Sequence, residues 1–218
     1  MPNIFVFAHL PFAKEEYRKT AEEKLANISE YTKQNEPDTL RYFFSVPREE
    51  SDVKSIYVIE EYASRTAFDA HMATENVKDI VAWLTENAQH LKGESTVNMA
   101  EVNTSFTRPK LANTKDLWIC YASIKYKEGK RAVALESWKH VASETEKNEA
   151  DTLSYSILRD SGNPDIVRTV EVYASQEYFK GVHVSSKAVQ ENMKSFGDEI
   201  RESVQHVFLQ YRGGFLGR

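Results

Sequence analysis

Two histidines stand in short helical stretches at corresponding places in the chain, His71 in RTAFDAHM and His183 in QEYFKGVH. An imidazole whose pKa lies near neutrality can take a proton from a phenol or an enol. The resulting anion is electron-rich enough to reduce oxygen directly. The protein then has only to desolvate, orient and stabilise it. His71 is the candidate catalytic residue. The plainer alternative is a helix histidine whose ring bonds a neighbouring strand. Glu60 and Tyr62 precede it, and Glu171 and Tyr173 precede His183. Each glutamate could orient its histidine, or could be a strand-end carboxylate bonded to backbone or paired with an arginine. Tyr42 and Tyr155 carry hydroxyls able to reach a ligand. Trp83, Trp118 and Trp138 could line an aromatic pocket, or pack in the core.

Other chemistries lack their parts. There is no GxSxG, P-loop, GxGxxG or HExxH sequence. The six histidines are scattered without metal-ligand spacing, and eight glycines are few for phosphate-cradling loops. A net charge of −5 provides no broad basic footprint, so no nucleic-acid partner is expected. The single cysteine, Cys120, excludes an intrachain disulfide and a cysteine-built zinc site, and its apolar strand suggests a buried small hydrophobe. No stretch approaches a membrane span, and the opening MPNIFVFAHLPFAKEEY lacks the basic flank and long apolar run of a signal peptide. A cytoplasmic protein is the expectation.

The elements that must position these residues are organised by an internal repeat. NEPDTL at Asn35 to Leu40 returns as NEADTL at Asn148 to Leu153, 113 positions on. YVIEEYAS and RTVEVYAS follow in the same order. Ordered matches of this kind indicate duplication. Ala134, Trp138, Val141 and Thr145 fall 113 residues after Ala21, Leu25, Ile28 and Thr32, the apolar stripe of a helix ending near Gln34. Pro37 stops that helix. The repeated phrase therefore reads as a landmark where a helix hands over to a strand, and not as an active site.

Strands are expected at Asn3 to Leu10, Thr39 to Val46, Ser55 to Tyr62 and Glu94 to Asn103. Ser64 caps a short helix, and a second follows Thr74. The second copy repeats the series with strands at Asp116 to Ser123, Thr152 to Leu158, Ile166 to Tyr173 and Val204 to Tyr211. Its helices span Glu128 to Lys147 and two stretches within Gln176 to Phe196. Residues 1–103 form the first repeat, 104–115 a linker and 116–218 the second, with RGGFLGR irregular or an arm. Each half is β-α-β-β-α-β, a ferredoxin-like order in the α+β class. Its sheet is partly apolar on both faces and needs covering by helices on one side and a second sheet on the other.

The series Asp38-Thr39-Leu40, Glu60-x-Tyr62, Ala67-x-x-x-His71 and Thr74 resembles the antibiotic biosynthesis monooxygenase domains of the dimeric α+β barrel superfamily. The second copy supplies Asp151-Thr152-Leu153, Glu171-x-Tyr173, His183 and Ser185 or Ser186. The resemblance covers most of both halves. It implies an intrachain pseudo-dimer of two repeats forming one barrel with outer helices, and leaves further pairing into a homodimer open. It also implies a cofactor-independent monooxygenase with molecular oxygen as co-substrate and a small, hydrophobic, aromatic or polyketide-like substrate. His71 would be catalytic; Tyr42, Glu60, Tyr62, Trp83, Tyr155 and His183 would bind substrate. The alternatives are a cyclase or isomerase on the same scaffold, and a non-catalytic ligand-binding barrel. The Asn, Trp and His trio of haem-degrading members has no counterpart here. One departure matters. Phe68 to His71 is three steps and Phe179 to His183 is four. One residue turns a helix by about 100°, so His183 is expected to point elsewhere and chemistry is expected in the first half.

Overall fold

The structure, a computed structural model, describes residues 2–196 and 199–218. The first repeat runs β1 (Ile4–Pro11), α1 (Glu15–Asn35), β2 (Thr39–Pro47), β3 (Ser55–Tyr62), α2 (Arg65–Met72), α3 (Glu75–Glu86) and β4 (Thr96–Thr107). The second runs β5 (Trp118–Tyr126), α4 (Arg131–Asn148), β6 (Thr152–Asp160), β7 (Ile166–Tyr173), α5 (Gln176–Tyr178), α6 (Lys187–Phe196) and β8 (Arg201–Phe215). This is the expected duplicated α+β order. The strands hydrogen-bond in the orders β1-β3-β2 and β8-β5-β7-β6-β4.

The periodic stripes do what their spacing requires. Ala21, Leu25, Ile28 and Thr32 are the buried line of α1, and Ala134, Trp138, Val141 and Thr145 that of α4. In the first half the apolar members of this line pack with Tyr42, Phe44, Ile56 and Val58, alternate residues of β2 and β3. The intervening Arg41, Phe43, Ser45 and Ile59 are buried as well, so both faces of this sheet are covered. Ser64 and Ser175 cap α2 and α5 through their hydroxyls, accepting from Ala67 N–H and Tyr178 N–H.

Two boundaries differ from expectation. Residues 104–107, read as linker, continue β4, and a short 3₁₀ turn follows at Pro109–Asn113. The expected irregular arm is largely strand, because β8 runs to Phe215. The chain packs as two compact units that do not coincide with the repeats. One comprises residues 1–99 with 211–218, the other residues 100–210. Thus most of β4 packs with the second half, where Ala100 to Thr107 pair antiparallel with β6. The end of β8 packs with the first half. Polar, aperiodic sequence hid both segments, since half-exposed strands show no clean alternation.

The glycines of RGGFLGR explain how β8 reaches its place. Gly214 has φ +109°, and a Cβ there would run into Tyr42 O and lie 2.6 Å from Phe43 Cα. Only glycine tolerates both the conformation and the approach to β2 backbone. Gly214→Ala is therefore expected to destabilise the protein by on the order of 2–3 kcal/mol. Gly93 also has positive φ but nothing within 4 Å of an added Cβ, so Gly93→Ala should cost clearly less. Chemical denaturation of the two variants measures the difference.

Candidate active site

The candidate site grows from the end of α1. Glu36 occupies the C-cap, its N–H bonding Thr32 O at 3.0 Å, and Pro37 prevents another turn. The Glu36 carboxylate turns back to accept from Thr32 Oγ1 at 3.2 Å and Thr39 Oγ1 at 3.1 Å. Its Oε2 also lies 2.8 Å from His71 Nδ1, joining α2 to the α1–β2 corner. Burial pushes the Glu36 carboxyl upward, but hydrogen bonds from His71, Thr39 and Thr32 and the imidazole's charge outweigh it and hold the group below its ordinary value. An ionised carboxylate only accepts, so Nδ1 carries the proton. With Nδ1 engaged, Nε2 is the nitrogen left bare in the neutral form of the ring, and it has no hydrogen-bond partner among the described residues.

The ring itself is buried and lies between two tyrosines, with centroids 5.6 Å from Tyr42 and 5.5 Å from Tyr62. Tyr62 donates its hydroxyl to Glu60 Oε2 at 2.7 Å. Burial drives the Glu60 carboxyl above its ordinary range against the opposing pull of His71 and the Tyr62 hydroxyl. Burial, with the charges of Glu60 and Glu36, also raises Tyr42, and burial with Glu60 raises Tyr62. Both phenols are held as neutral donors. Tyr42, Glu60, Tyr62 and His71 are therefore one cluster.

Two expectations are corrected. Glu60 does not orient His71: its hydroxyl partner is two residues along the same strand face, and the orienting carboxylate is Glu36. Nor does His183 point elsewhere. Residues Phe179–His183 form a π turn, with Val184 N–H bonding Phe179 O at 2.9 Å. A π turn accommodates one extra residue, so the insertion is absorbed before the histidine. His183 Nδ1 lies 2.8 Å from Glu149 Oε2, and Glu149 accepts from Thr152 at 2.8 Å and Thr145 at 3.3 Å. Tyr155 and Tyr173 flank that ring at 5.3 and 5.0 Å, and Tyr173 donates to Glu171 at 2.7 Å. The second half thus reproduces the first.

The tryptophans stand outside these clusters. Trp83 has its ring contacts with Phe12, at 6.4 Å, and with the Lys24 ammonium above its face at 5.4 Å. Trp138 donates to Tyr126 Oη at 2.8 Å inside the second core, and Trp118 is buried there too. Cys120 is buried, with burial raising its thiol. One difference separates the halves. Glu60 keeps accessible surface although its carboxyl lies deep, whereas Glu171 is buried. Among the described residues no three of His, Cys, Asp and Glu gather as a metal site. Nor is any helix among them long and apolar enough to cross a membrane.

The sequence profile of the family described as antibiotic biosynthesis monooxygenase matches residues 4–83 and 118–195, one match in each half. The chain belongs to that family. No protein of curated function matches this member. Its fold is shared with a proposed monooxygenase from Lactobacillus acidophilus NCFM at 17% identity and TM-score 0.80, with 100% of both chains covered. A second, from Fusobacterium nucleatum subsp. nucleatum, matches at 20% identity and TM-score 0.82 over 100% of this chain and 97% of the other. An anthrone oxidase-like protein matches at 9% identity and TM-score 0.67 over 98% and 92%. At such identities these matches speak for the fold.

The two carboxyls of the first cluster should act oppositely on stability. Glu36 is held below its ordinary 4.5, so its contribution is present above that pH and is lost as pH falls through the depressed value. Glu36→Gln should cost about 1–3 kcal/mol at pH 7, and the difference should shrink toward pH 3. Glu60 is raised above 4.5, so its ionisation opposes folding above that pH. Glu60→Gln should raise Tm at pH 7 and converge with the parent protein near pH 4. Thermal melts across this range measure both.

Proposed function

We propose that this family member is a cofactor-independent monooxygenase acting on a small, hydrophobic, phenolic or enolic metabolite of aromatic or polyketide type. The observation that carries the reading is the Glu36–His71 pair, in which Nδ1 donates to the carboxylate and Nε2 is left to act as base between Tyr42 and Tyr62. Nε2 takes a proton from the substrate, and Glu36 offsets the positive charge that forms on the imidazole. The substrate anion then transfers electrons to molecular oxygen, the co-substrate. For a methylene flanked by activating groups, one methylene and one dioxygen give one carbonyl and one water. Both carbon–hydrogen bonds break, and a carbon–oxygen double bond replaces them. One oxygen atom enters the product and the other leaves as water, and all four electrons come from the substrate. Tyr42, held neutral by burial, supplies a hydroxyl near the developing oxyanion, whereas the Tyr62 proton is engaged by Glu60.

A second reading has its own support. Glu, His and two threonines recur in both halves and tie a helix end, a strand start and a short helix together. Such a network also serves as a fastening on a ligand-binding scaffold. A cyclase or isomerase would use the same base without oxygen. Aerobic and anaerobic incubation with hydroquinones and anthrones separates these readings. Oxygen-dependent product is expected, with His71→Ala lowering kcat by roughly 10²–10⁴-fold. Equal turnover without oxygen points to proton-transfer chemistry. Binding without turnover, or an unaffected His71→Ala, removes the catalytic assignment.

A further inference from the structure

Each Glu–His pair is backed by an arginine that neither repeat supplies to itself. In the first half Arg218, which follows β8, donates from Nε to Thr39 O at 2.8 Å and from Nη2 to Thr32 O at 2.8 Å. In the second half Arg108, which follows β4, donates from Nε to Thr152 O at 2.9 Å. Its Nη2 donates to Glu146 O and, at 3.4 Å, to Glu149 O. Each guanidinium lies over a phenylalanine of its own strand, Phe215 at 5.0 Å and Phe106 at 5.1 Å. Strand, aromatic platform and fork correspond, although the spacing from Phe to Arg differs by one residue.

The carbonyls held in the first half belong to Thr32 and Thr39, the two residues whose hydroxyls grip Glu36. A planar fork bridging them fixes the end of α1 against the start of β2. The positive charge also suits the carbonyl end of a helix. Gly213 and Gly214 bring β8 close enough to β2 for this reach: a Cβ on Gly213 would meet the Phe44 ring at 2.6 Å.

We infer that Arg218 and Arg108 are positioning residues for the two histidines, Arg218 for His71 and Arg108 for His183. Arg218 acts through the threonine pair that holds Glu36, and Arg108 through Thr152 and the backbone of Glu149 itself. Every site therefore needs a segment from the opposite repeat. The effect on catalysis rests on reading His71 as the base; the effect on the ring does not. The groups facing His71 are Glu36 from the α1 end, Tyr42 from β2, and Glu60 and Tyr62 from β3. None of these is changed by substituting Arg218.

The test uses the full chain labelled with ¹⁵N-histidine. Long-range ¹⁵N–¹H spectra distinguish protonated from bare ring nitrogens. In the parent protein both histidines should show protonated Nδ1 and bare Nε2. Arg218→Gln should bring the two His71 nitrogen signals toward each other as tautomers exchange, leaving His183 unchanged. Arg108→Gln should do the reverse. Arg218→Lys keeps the charge but loses the fork, and should give a smaller change confined to His71. An unchanged His71 pattern in a folded Arg218 variant, or equal change at both histidines, overturns the inference. If Arg218→Gln does not fold, Arg218→Lys is read by the same two criteria. Where turnover is measurable, Arg218→Gln should lower kcat about tenfold with KM little changed. A moved tautomer signal without any turnover retains the positioning role and counts against the monooxygenase reading alone.

Discussion

The organisation of each half depends on one charge-assisted hydrogen bond, from a histidine Nδ1 to the glutamate that ends the first helix. A carboxylate at a helix C-terminus is unfavourable by itself, because carbonyl dipoles converge there. Glu36 and Glu149 are nevertheless held ionised by threonine hydroxyls and an imidazole. The bond fixes three things together: where the helix stops, where the next strand starts, and which imidazole nitrogen is bare. A lone surface histidine would exchange tautomers freely. This one cannot do so without breaking a buried bond to a carboxylate.

The second copy shows how strongly the bond constrains its surroundings. One additional residue between Phe179 and His183 would rotate an α-helical ring away from Glu149. The chain instead adopts a π turn, a rare conformation, and the 2.8 Å contact is the same in both halves. The remainder of each cluster differs more. Leu25 and Val6 of the first half stand where Trp138 and Cys120 stand in the second. Equal geometry at the histidine with unequal surroundings shows how little of each half's packing the bond itself dictates.

Burial sets the electrostatics of the first cluster. Two carboxyls, two phenols and an imidazole share a small volume, and no lysine or arginine contributes to the pKa shifts of Glu36, Tyr42, Glu60 or Tyr62. Such a cluster is poorly matched to an anionic ligand. It is better matched to an uncharged molecule, as the proposed phenolic or enolic substrate would be.

Much of the architecture was legible in the linear chain. Repeated phrases, 3.6-residue stripes and alternating strands located two α+β repeats, because these signals follow from local geometry and from which residues must leave water. Glu60, Tyr62 and His71 were also singled out, through their order within a family pattern. What sequence left undecided was contact between distant segments. The role of Glu36 was obscured because its phrase reads equally well as a helix stop. A recurring Glu flanked by recurring threonines was the available signal. His183 was misplaced because residue counting assumes an α-helix, and hydrogen bonding chose a π turn. Arg108 and Arg218 lay in stretches without periodicity, and their partners are backbone carbonyls, which no side-chain pattern can reveal. Sequence by itself determined the repeat, the strands and the histidine proposed as base. Tertiary structure decided which carboxylate holds that histidine and which arginines back the carboxylate, since those choices depend on approaches of 35 to 186 residues along the chain.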